Sequence, residues 1–254
     1  DSIIDSQIGD IRDLELFKKS ITDFNPDILM HMAAQPLVRY SYTAPVETYE
    51  TNVMGTVNVL ESARACKNLK AIINITTDKC YENDGRSEGY KEGDPMGGHD
   101  PYSSSKGCAE LVASAYRRSF LQDQGIGLAS VRAGNVIGGG DWADDRLIPD
   151  ILRSFEGGDP VVIRNPKATR PWQHVLEPLS GYLILAQKLY KNQEDYAEGW
   201  NFGPNEKGVK PVDWILDKMI VKWPNSSWEL DKNSNPYEAG FLKLDISKAE
   251  SKLS

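Results

Sequence analysis

The sequence predicts an α/β protein in which helices cover both faces of a doubly wound parallel sheet, with a smaller domain towards the carboxyl end. Three short apolar runs, at residues 27–34, 71–75 and 127–132, have the length and composition of buried strands. Two long segments between them, residues 46–66 and 102–120, place apolar side chains at helical spacing. Strands that alternate with long helices are typical of a parallel sheet that is buried on both faces.

Turn-forming residues set the boundaries of these elements. Asn25 and Pro26 precede the first strand, and a turn-rich stretch over residues 83–99 separates the second strand from the second long helix. Beyond Asn135 the elements become shorter and glycine-rich loops appear, which indicates a smaller second domain. Helices are predicted at residues 148–155, 175–189 and 211–221, and strands at residues 160–163 and 228–230.

Composition and charge exclude several classes of function. The 254 residues are 40% hydrophobic and 26% charged, as in ordinary globular proteins. The net charge of −8 argues against a nucleic-acid partner, so any anion site has to be built locally. We expect no membrane partner, because no apolar run reaches about 18 residues. Three scattered cysteines without a CxxC pair indicate a reduced, cytoplasmic protein, and the three histidines show no metal-ligand spacing.

Tyr102 and Lys106 lie four residues apart at the start of the second long helix and therefore share a face. An ammonium group beside a phenol favours the phenolate, which can take a hydroxyl proton while a hydride leaves the carbon. The pair is a weak signal by itself, because a buried tyrosine near a solvated lysine gives the same pattern. Its place after a strand that ends near Thr77 favours catalysis, since open α/β sheets bind ligands at the carboxyl ends of their strands.

Thr77, Asp78 and Lys79 follow the second predicted strand. A turn that ends a strand often contains threonine and aspartate, so a structural role is one interpretation. The other is an acid–base pair. Elimination of water needs one group to remove a carbon-bound proton and another to protonate the departing hydroxyl. A carboxyl and an amine can serve if their pKa values are shifted towards neutrality.

Longer segments resemble the extended short-chain dehydrogenase/reductase family. They read HMAAQ at residues 31–35, YSSSK at 102–106 and RAGNV at 132–136. Within that family, TDKCY at residues 77–81, RNP at 164–166 and RPWQHVLEP at 170–178 are similar to the nucleotide-sugar 4,6-dehydratases, and the match covers nearly the whole chain. The dTDP-glucose branch has Thr-Asp-Glu at the first of these motifs, so Lys79 favours the branch that acts on CDP-glucose.

The resemblance implies a lyase that converts CDP-D-glucose to CDP-4-dehydro-6-deoxy-D-glucose and water, with NAD reduced by C4 oxidation and regenerated by hydride return to C6. Tyr102 would act as base at the C4 hydroxyl, and Lys106 would hold the nicotinamide ribose and lower the pKa of Tyr102. Thr77 would bond the 4-oxygen and Asp78 would protonate the departing C6 hydroxyl. Lys79 occupies the position of the C5 base, where an amine either serves as that base or positions the sugar.

The resemblance also implies binding residues. Asp10 and Ile11 resemble the family's adenine contact, and Arg170 is the candidate for the nucleotide diphosphate, because arginine forms paired hydrogen bonds to phosphate. The other cofactor residues are Met32, Ala33, Ala34, Gln35, Thr51, Ile75, Thr76, Ala133 and Val136, with Tyr102 and Lys106. The other substrate residues are Asn135, Arg146, Leu147, Arg164 and Asn201, with Thr77.

On this interpretation residues 1–135 form a partial, Rossmann-like NAD-binding domain and residues 136–254 a partial sugar-nucleotide-binding domain, with residues 170–203 returning in part to the first. A dinucleotide fold begins with a glycine-rich turn, and no such spacing precedes residue 27. We therefore expect a βαβ unit of roughly 50–60 residues to be missing. We also expect truncation at the carboxyl end and poor NAD binding by this piece alone. Family members are commonly dimers, which implies a homodimer through helices 46–66 and 102–120.

Two other functions remain open. Epimerases and reductases of the same superfamily need Tyr102 and Lys106 but no elimination pair, so Asp78 and Lys79 argue against them. A non-catalytic NAD- or sugar-binding protein, or an inactive fragment, fits the missing glycine-rich turn but not the intact Thr77, Tyr102 and Lys106.

Overall fold

The chain alternates strands and helices over most of its length. The computed structural model describes residues 4–233 and 241–253, while residues 1–3, 234–240 and 254 lie outside the described part. The strands are β1 (Ile28–His31), β2 (Ala71–Ile75), β3 (Gly127–Ala133), β4 (Val136–Ile137), β5 (Val161–Ile163), β6 (Thr169–Pro171), β7 (Gln173–His174), β8 (Gly199–Phe202), β9 (Val209–Pro211) and β10 (Trp228–Leu230). The α-helices are α1 (Leu14–Phe24), α2 (Val38–Thr43), α3 (Pro45–Tyr49), α4 (Gly55–Ala63), α5 (Pro101–Tyr116), α6 (Leu147–Gly157), α7 (Leu176–Lys191), α8 (Gln193–Tyr196), α9 (Val212–Ile220) and α10 (Ser247–Leu253). Short π-helical turns span Glu50–Met54 and Arg117–Leu121, and 3₁₀ turns span Asp78–Cys80 and Glu206–Gly208.

The central sheet has four parallel strands in the order β1-β2-β3-β8. In β2, Ile73 pairs with Met30 on one side and with Ala129 on the other. β8 joins the far side of β3, where Trp200 pairs with Val131. The α/β fold with a parallel sheet is thus confirmed, as are the three strands predicted from apolar runs. The fourth strand was not predicted, because Gly-Trp-Asn-Phe is too short and mixed to show a clear strand period.

Helices cover both faces of this sheet. On one face, Leu185 of α7 packs in a buried cluster with Trp200 of β8. On the other, Leu60 of α4 and Ile72 of β2 share a second cluster, to which α1 and the end of α5 also contribute. A third cluster around Leu216 of α9 lies among the later elements. Burial of these faces is the main favourable term in folding.

The two long helical segments are observed, and each contains a π turn. The segment predicted over residues 46–66 consists of α3, the turn Glu50–Met54 and α4, and the one predicted over 102–120 consists of α5 followed by Arg117–Leu121. Asp100 caps α5, because its carboxylate accepts from the Ser103 N–H at 2.9 Å and from the Ser103 hydroxyl at 2.6 Å. Proline in the first turn also suits a helix start. This cap fixes the start of α5 and thereby the positions of Tyr102 and Lys106 in its first two turns.

The later elements form three two-stranded sheets, β5 with β10, β4 with β7, and β6 with β9. The predicted helices at residues 148–155, 175–189 and 211–221 are observed as α6, α7 and α9, and both predicted strands are present. The division of the chain at residue 135 stays a prediction. Within the described ranges, no helix combines the length and hydrophobicity needed to cross a bilayer.

Candidate active site

A cavity of about 530 Å³ lies at the carboxyl ends of β2 and β3. The segment after β2, the start of α5, the segment after β3 and the start of α6 all contribute to its walls. Predicted site residues that line it are Thr76, Thr77, Asp78, Lys79, Tyr102, Ala133, Asn135, Val136, Arg146, Leu147, Arg164 and Arg170. The structure therefore brings most of the predicted catalytic and substrate residues to one place, which is the edge where open parallel sheets bind ligands.

Asp78 is a buried carboxyl at the base of this cavity. Thr77 caps the 3₁₀ turn Asp78–Cys80, and its hydroxyl donates to Asp78 Oδ1 at 3.1 Å. The second oxygen, Oδ2, is buried and has no hydrogen-bond partner among the described residues. Burial raises the pKa of Asp78, although Lys79, Thr77 and Arg170 oppose the shift. The carboxyl consequently keeps its proton to higher pH than an exposed aspartate does.

Gly134 makes room for this carboxyl. A Cβ atom on Gly134 would lie 1.9 Å from Asp78 Oδ2 and 2.4 Å from its Cγ, far inside contact distance. The glycine follows β3 directly, so the backbone after the third strand forms the wall against which Asp78 rests. No larger residue fits at this position without displacing the acid.

Tyr102 lies in the first turn of α5 and is also buried. Burial raises the pKa of Tyr102 to about 12, and Asp78 adds to the shift, while a hydrogen bond with Thr77 and the charge of Arg146 oppose it. The expectation that the phenol would have a lowered pKa is therefore wrong for the protein alone. The physical reason is that loss of hydration disfavours the phenolate more strongly than the neighbouring groups favour it.

Lys106 lies beneath the cavity rather than in its wall. Its ammonium group donates to the carbonyl oxygen of Ile75 at the end of β2, at 3.2 Å. Burial lowers the pKa of Lys106 to about 8, against the charge of Glu110, which raises it. At neutral pH the side chain is thus still mostly cationic.

Four arginines line the cavity, together with the acidic side chains of Asp78, Asp145, Asp150 and Asp231. Arg170 is 8% exposed and its charge reaches Asp78. Arg146 precedes α6, and its Nε is buried without a partner in the described part of the chain. Arg164 and Arg39 both approach Asp145, at 3.7 Å and 2.8 Å. Arg39 was not predicted from the sequence. A local group of guanidinium ions allows an acidic protein to bind an anionic ligand.

Comparison with known proteins identifies the family. The model of the NAD dependent epimerase/dehydratase family matches residues 4–199. The chain belongs to this family. The CDP-glucose 4,6-dehydratase of Salmonella typhimurium is 60% identical over 257 residues, which cover 99% of this chain and 72% of the relative. The dTDP-glucose 4,6-dehydratase of Haemophilus influenzae is 27% identical over 85% of this chain and 65% of its own length. The resemblance stated from the motifs is thereby confirmed.

Solved structures of similar fold include epimerases and dehydratases. A dTDP-glucose 4,6-dehydratase from Streptomyces venezuelae with NAD bound has a TM-score of 0.78 and 24% identity, covering 96% of this chain and 72% of that one. The UDP-glucose 4-epimerase of Thermus thermophilus in complex with NAD has a TM-score of 0.81 and 24% identity, covering 96% and 76%. At such identities the likeness establishes the fold.

In this member of the epimerase/dehydratase family, the predicted adenine contacts lie in an exposed segment before α1. The carboxylate of Asp10 accepts from Arg12 Nη2 at 2.6 Å, and this interaction lowers the pKa of Asp10 to about 2. Ile11 packs against the start of α4, where a Cβ on Gly55 would lie 2.9 Å from its side chain. Met32, directly after β1, is 56% exposed. These residues present an open, partly apolar surface.

Gln35 and Thr51 lie next to the buried side-chain amide of Asn52. Asn52 Oδ1 accepts from the Gln35 N–H at 2.8 Å, and its Nδ2 donates to the Gln35 carbonyl at 3.0 Å and to Ser105 Oγ at 2.8 Å. The side chain of Gln35 donates to Thr48 Oγ1 at 2.9 Å, so it is used within the protein. Thr51 is half-buried next to Asn52. Gln35 thus shapes the loop after β1 through internal hydrogen bonds.

Asn201 is the predicted substrate residue that the structure places apart from the cavity. It is fully buried, its Oδ1 accepts from the Tyr81 hydroxyl at 2.7 Å, and its Nδ2 donates to the Tyr90 carbonyl at 2.8 Å. Sequence reasoning also missed Glu110, a buried acid four residues after Lys106. The i, i+4 spacing could have identified it. No group of three or more His, Cys, Asp or Glu side chains in the described residues is placed to hold a metal.

Proposed function

We propose that this chain carries the active site of an NAD-dependent CDP-glucose 4,6-dehydratase, which converts CDP-D-glucose to CDP-4-dehydro-6-deoxy-D-glucose and water. One observation carries the proposal: the buried carboxyl of Asp78 lines the cavity with a raised pKa and one unpartnered oxygen within the described structure. A protonated carboxyl is the acid that elimination of water requires. The Salmonella relative, 60% identical, bears the same activity in its name.

The residues at the carboxyl ends of β1 and β2 fit a nicotinamide cofactor. Met32 is exposed directly after the buried His31, and an apolar side chain at this edge is a surface that a flat ring can cover. When bound, NAD accepts a hydride from C4 of the sugar and later returns it to C6. The residues proposed to hold it are Asp10, Ile11, Met32, Ala33, Ala34, Gln35, Thr51, Ile75, Thr76, Tyr102, Lys106, Ala133 and Val136.

In the oxidation step, Tyr102 takes the proton of the C4 hydroxyl and Thr77 donates to the same oxygen. With its pKa near 12 in the protein alone, Tyr102 needs nearby positive charge to act as a base. Lys106, cationic below about pH 8, supplies it from the same helix face and binds the nicotinamide ribose.

In the elimination step, the 4-keto group acidifies the proton on C5. Asp78 transfers its proton to the C6 hydroxyl, the C6–O bond breaks and water leaves. Lys79 lies next to Asp78 in the cavity wall. It either removes the C5 proton and returns it to C5 when the hydride reaches C6, or positions the sugar while water takes and returns that proton. An epimerase would have no use for an acid at Asp78, and this is what favours a dehydratase over the rival function.

The nucleotide part of the substrate is assigned to the arginine-rich wall. Arg170, with Arg146 and Arg164, is proposed to bind the diphosphate, while Asn135 and Leu147 line the same cavity. We also propose a homodimer through the two long helical segments, which expose Val46 and Leu111 at 70% and 61%. Three free cysteines among the described residues support a cytoplasmic location.

The test is Asp78→Asn in the full-length protein, with Asp144→Asn as control. Asp144 is 93% exposed and does not line the cavity in the described structure. We expect Asp78→Asn to lower formation of the alkali-absorbing 4-keto sugar roughly 10²- to 10⁴-fold, the usual contribution of a general acid. Transient absorbance of the reduced cofactor should persist, because C4 oxidation does not use Asp78.

Each proposed component has an outcome that contradicts it. If Asp78→Asn forms the 4-keto sugar at the wild-type rate, Asp78 is not the acid of the elimination step. Turnover of dTDP-glucose but not CDP-glucose by the wild-type protein would overturn the nucleotide assignment. Interconversion of C4 epimers without loss of water would favour the epimerase.

A further inference from the structure

A fully buried ion pair lies directly beneath the proposed active site. Arg132 of β3 donates through Nε to Glu110 Oε1 at 2.9 Å and through Nη2 to Oε2 at 2.8 Å. Both side chains are only 5% exposed. A buried pair of this kind is costly to desolvate, so it is weak evidence of stabilisation by itself. Its position relative to the catalytic residues is therefore the informative property.

The ion pair holds both sides of the Thr77–Lys79 segment. On one side, the Thr76 hydroxyl donates to Glu110 Oε1 at 2.5 Å. On the other, Arg132 Nη1 donates to the Tyr81 hydroxyl at 2.6 Å. The segment that contains the proposed acid is thus fastened at each end to one bidentate pair. Such fastening fixes the segment relative to α5, which carries Tyr102 and Lys106.

Glu110 also lies one helical turn after Lys106, on the same buried face of α5. Three titratable groups from three elements act on Lys106 or feel its charge: Glu110 of α5, Cys80 after β2, and His31 at the end of β1. Burial lowers the pKa of His31 to about 4, so it carries no charge at neutral pH. Burial also raises the pKa of Cys80 well above its usual value, so the thiol is uncharged at neutral pH. Among these three groups, Glu110 is therefore the anion that acts on the ammonium group of Lys106.

We propose that Glu110 is a positioning residue of the active site, which fastens Thr76 to α5 and keeps Lys106 in its ammonium form. This inference rests on the proposed function for the role of Lys106. Without the Glu110 carboxylate, Lys106 would lose the anion whose charge raises its pKa, and the buried charge of Arg132 would be left without its partner. Burial would then favour the neutral amine of Lys106 with no carboxylate to oppose it.

The first measurement is the pH profile of kcat/KM for Glu110→Gln, an isosteric change that can retain hydrogen bonds while it removes the charge. We expect the alkaline limb of the profile to move down by ~1 pH unit, the effect of losing a nearby opposite charge. The double variant Glu110→Gln, Arg132→Met removes both charges of the pair, and its alkaline limb should also lie below that of the wild type, because the Glu110 carboxylate is absent. Tyr81→Phe is the matched control, because it cuts the same network without changing its charge, and its alkaline limb should stay in place.

Thr76→Val separates the two parts of the proposal. It removes the hydrogen bond to Glu110 but leaves the carboxylate and Arg132 in place. We expect kcat to fall by about 10-fold or more through misplacement of Thr77, with the alkaline limb unmoved. A shifted limb in Thr76→Val, or an unshifted limb in a folded Glu110→Gln protein, would overturn the assignment.

A second measurement does not depend on catalysis. Because the pKa of Lys106 is lower in the folded protein than in the unfolded chain, the unfolded state binds more protons between these two values. The free energy of unfolding therefore gains a rising contribution with pH that begins near pH 8. In Glu110→Gln this contribution should begin at a lower pH. Adding Lys106→Met to either the wild-type protein or Glu110→Gln should abolish it.

The two readouts distinguish failure of the inference from failure of the proposed function. If the wild-type protein forms no 4-keto sugar, the function is wrong, and the unfolding series still tests whether Glu110 controls Lys106. If the sugar forms and both readouts are the same in Glu110→Gln and wild type, Glu110 has no such role. If Glu110→Gln does not fold, the charge-free double variant provides the comparison with wild type, in which a downward shift is again expected.

Discussion

Gly134→Ala should disable the site through a single methyl group. The added Cβ would lie 1.9 Å from Asp78 Oδ2, whereas ordinary contact begins at 3.4 Å. The carboxyl or the wall after β3 has to retreat by about 1.5 Å to restore contact distance. Misplacement of a reacting group by 1 Å can cost on the order of 10²-fold in rate. We therefore expect kcat to fall roughly 10²-fold or more, with a loss of about 1–3 kcal/mol in the free energy of unfolding from overpacking.

The assay is formation of the 4-keto sugar from CDP-glucose at saturating substrate, with urea unfolding of the same preparation. Gly139→Ala is the control, because a Cβ on Gly139 meets nothing within 4 Å, and its rate and stability should remain at wild-type values. A Gly134→Ala protein with an unchanged kcat would show that Asp78 either does not rest on Gly134 or does not supply the proton. A loss in Gly139→Ala as large as in Gly134→Ala would show that the loop, rather than the contact, is responsible.

Two further changes test the substrate wall and the loop after β1. Arg170→Lys keeps the charge but loses paired hydrogen bonding, so KM for CDP-glucose should rise roughly 10- to 100-fold, as expected from about 1.5–3 kcal/mol per charged hydrogen bond; steady-state kinetics with an unchanged KM would contradict the assignment. Asn52→Ala leaves the buried backbone N–H and carbonyl of Gln35 without this partner, while Ser105 keeps its hydrogen bond to the Tyr102 carbonyl, so urea unfolding should show a loss of about 1–3 kcal/mol. A loss within experimental error would mean that water replaces the amide.

The sequence predicted those elements whose hydrophobic pattern and length both indicated the same type of secondary structure. β2 is buried from Ala71 to Asn74, and a short apolar run of that kind is recognisable without tertiary information. β8 was not recognisable, because Trp200 becomes a core residue only through packing against α7. The π turns could not be predicted from the spacing of apolar residues either. A π turn contains one residue more than an α-helical turn and leaves the apolar spacing of the whole segment nearly intact.

The sequence predicted most of the residues that line the candidate site, but not their hydrogen-bond partners or the direction of their pKa shifts. Motif residues such as Thr77 and Asn135 reach the cavity as expected, since they follow β2 and β3, whose carboxyl ends meet there. Asn201 was predicted to bind substrate on the same family resemblance, yet its side-chain amide is hydrogen-bonded to the Tyr81 hydroxyl and the Tyr90 carbonyl. Residue type and spacing do not report which partner a side chain finds. The sign of the Tyr102 pKa shift likewise depends on burial, which spacing alone does not give.

Burial has opposite consequences for the two halves of the proposed reaction. It favours the neutral form of every group, and the neutral form of Asp78 is the one that donates a proton to the departing hydroxyl. For Tyr102 and Lys106 the neutral form is the inactive one, since a base must lose its proton and the ammonium must keep its own. The acid therefore needs no counter-charge, and its Oδ2 has no partner in the described structure. The base needs a positive charge that is kept against burial: Lys106 supplies that charge, and Glu110, held by Arg132, is the residue proposed to keep it.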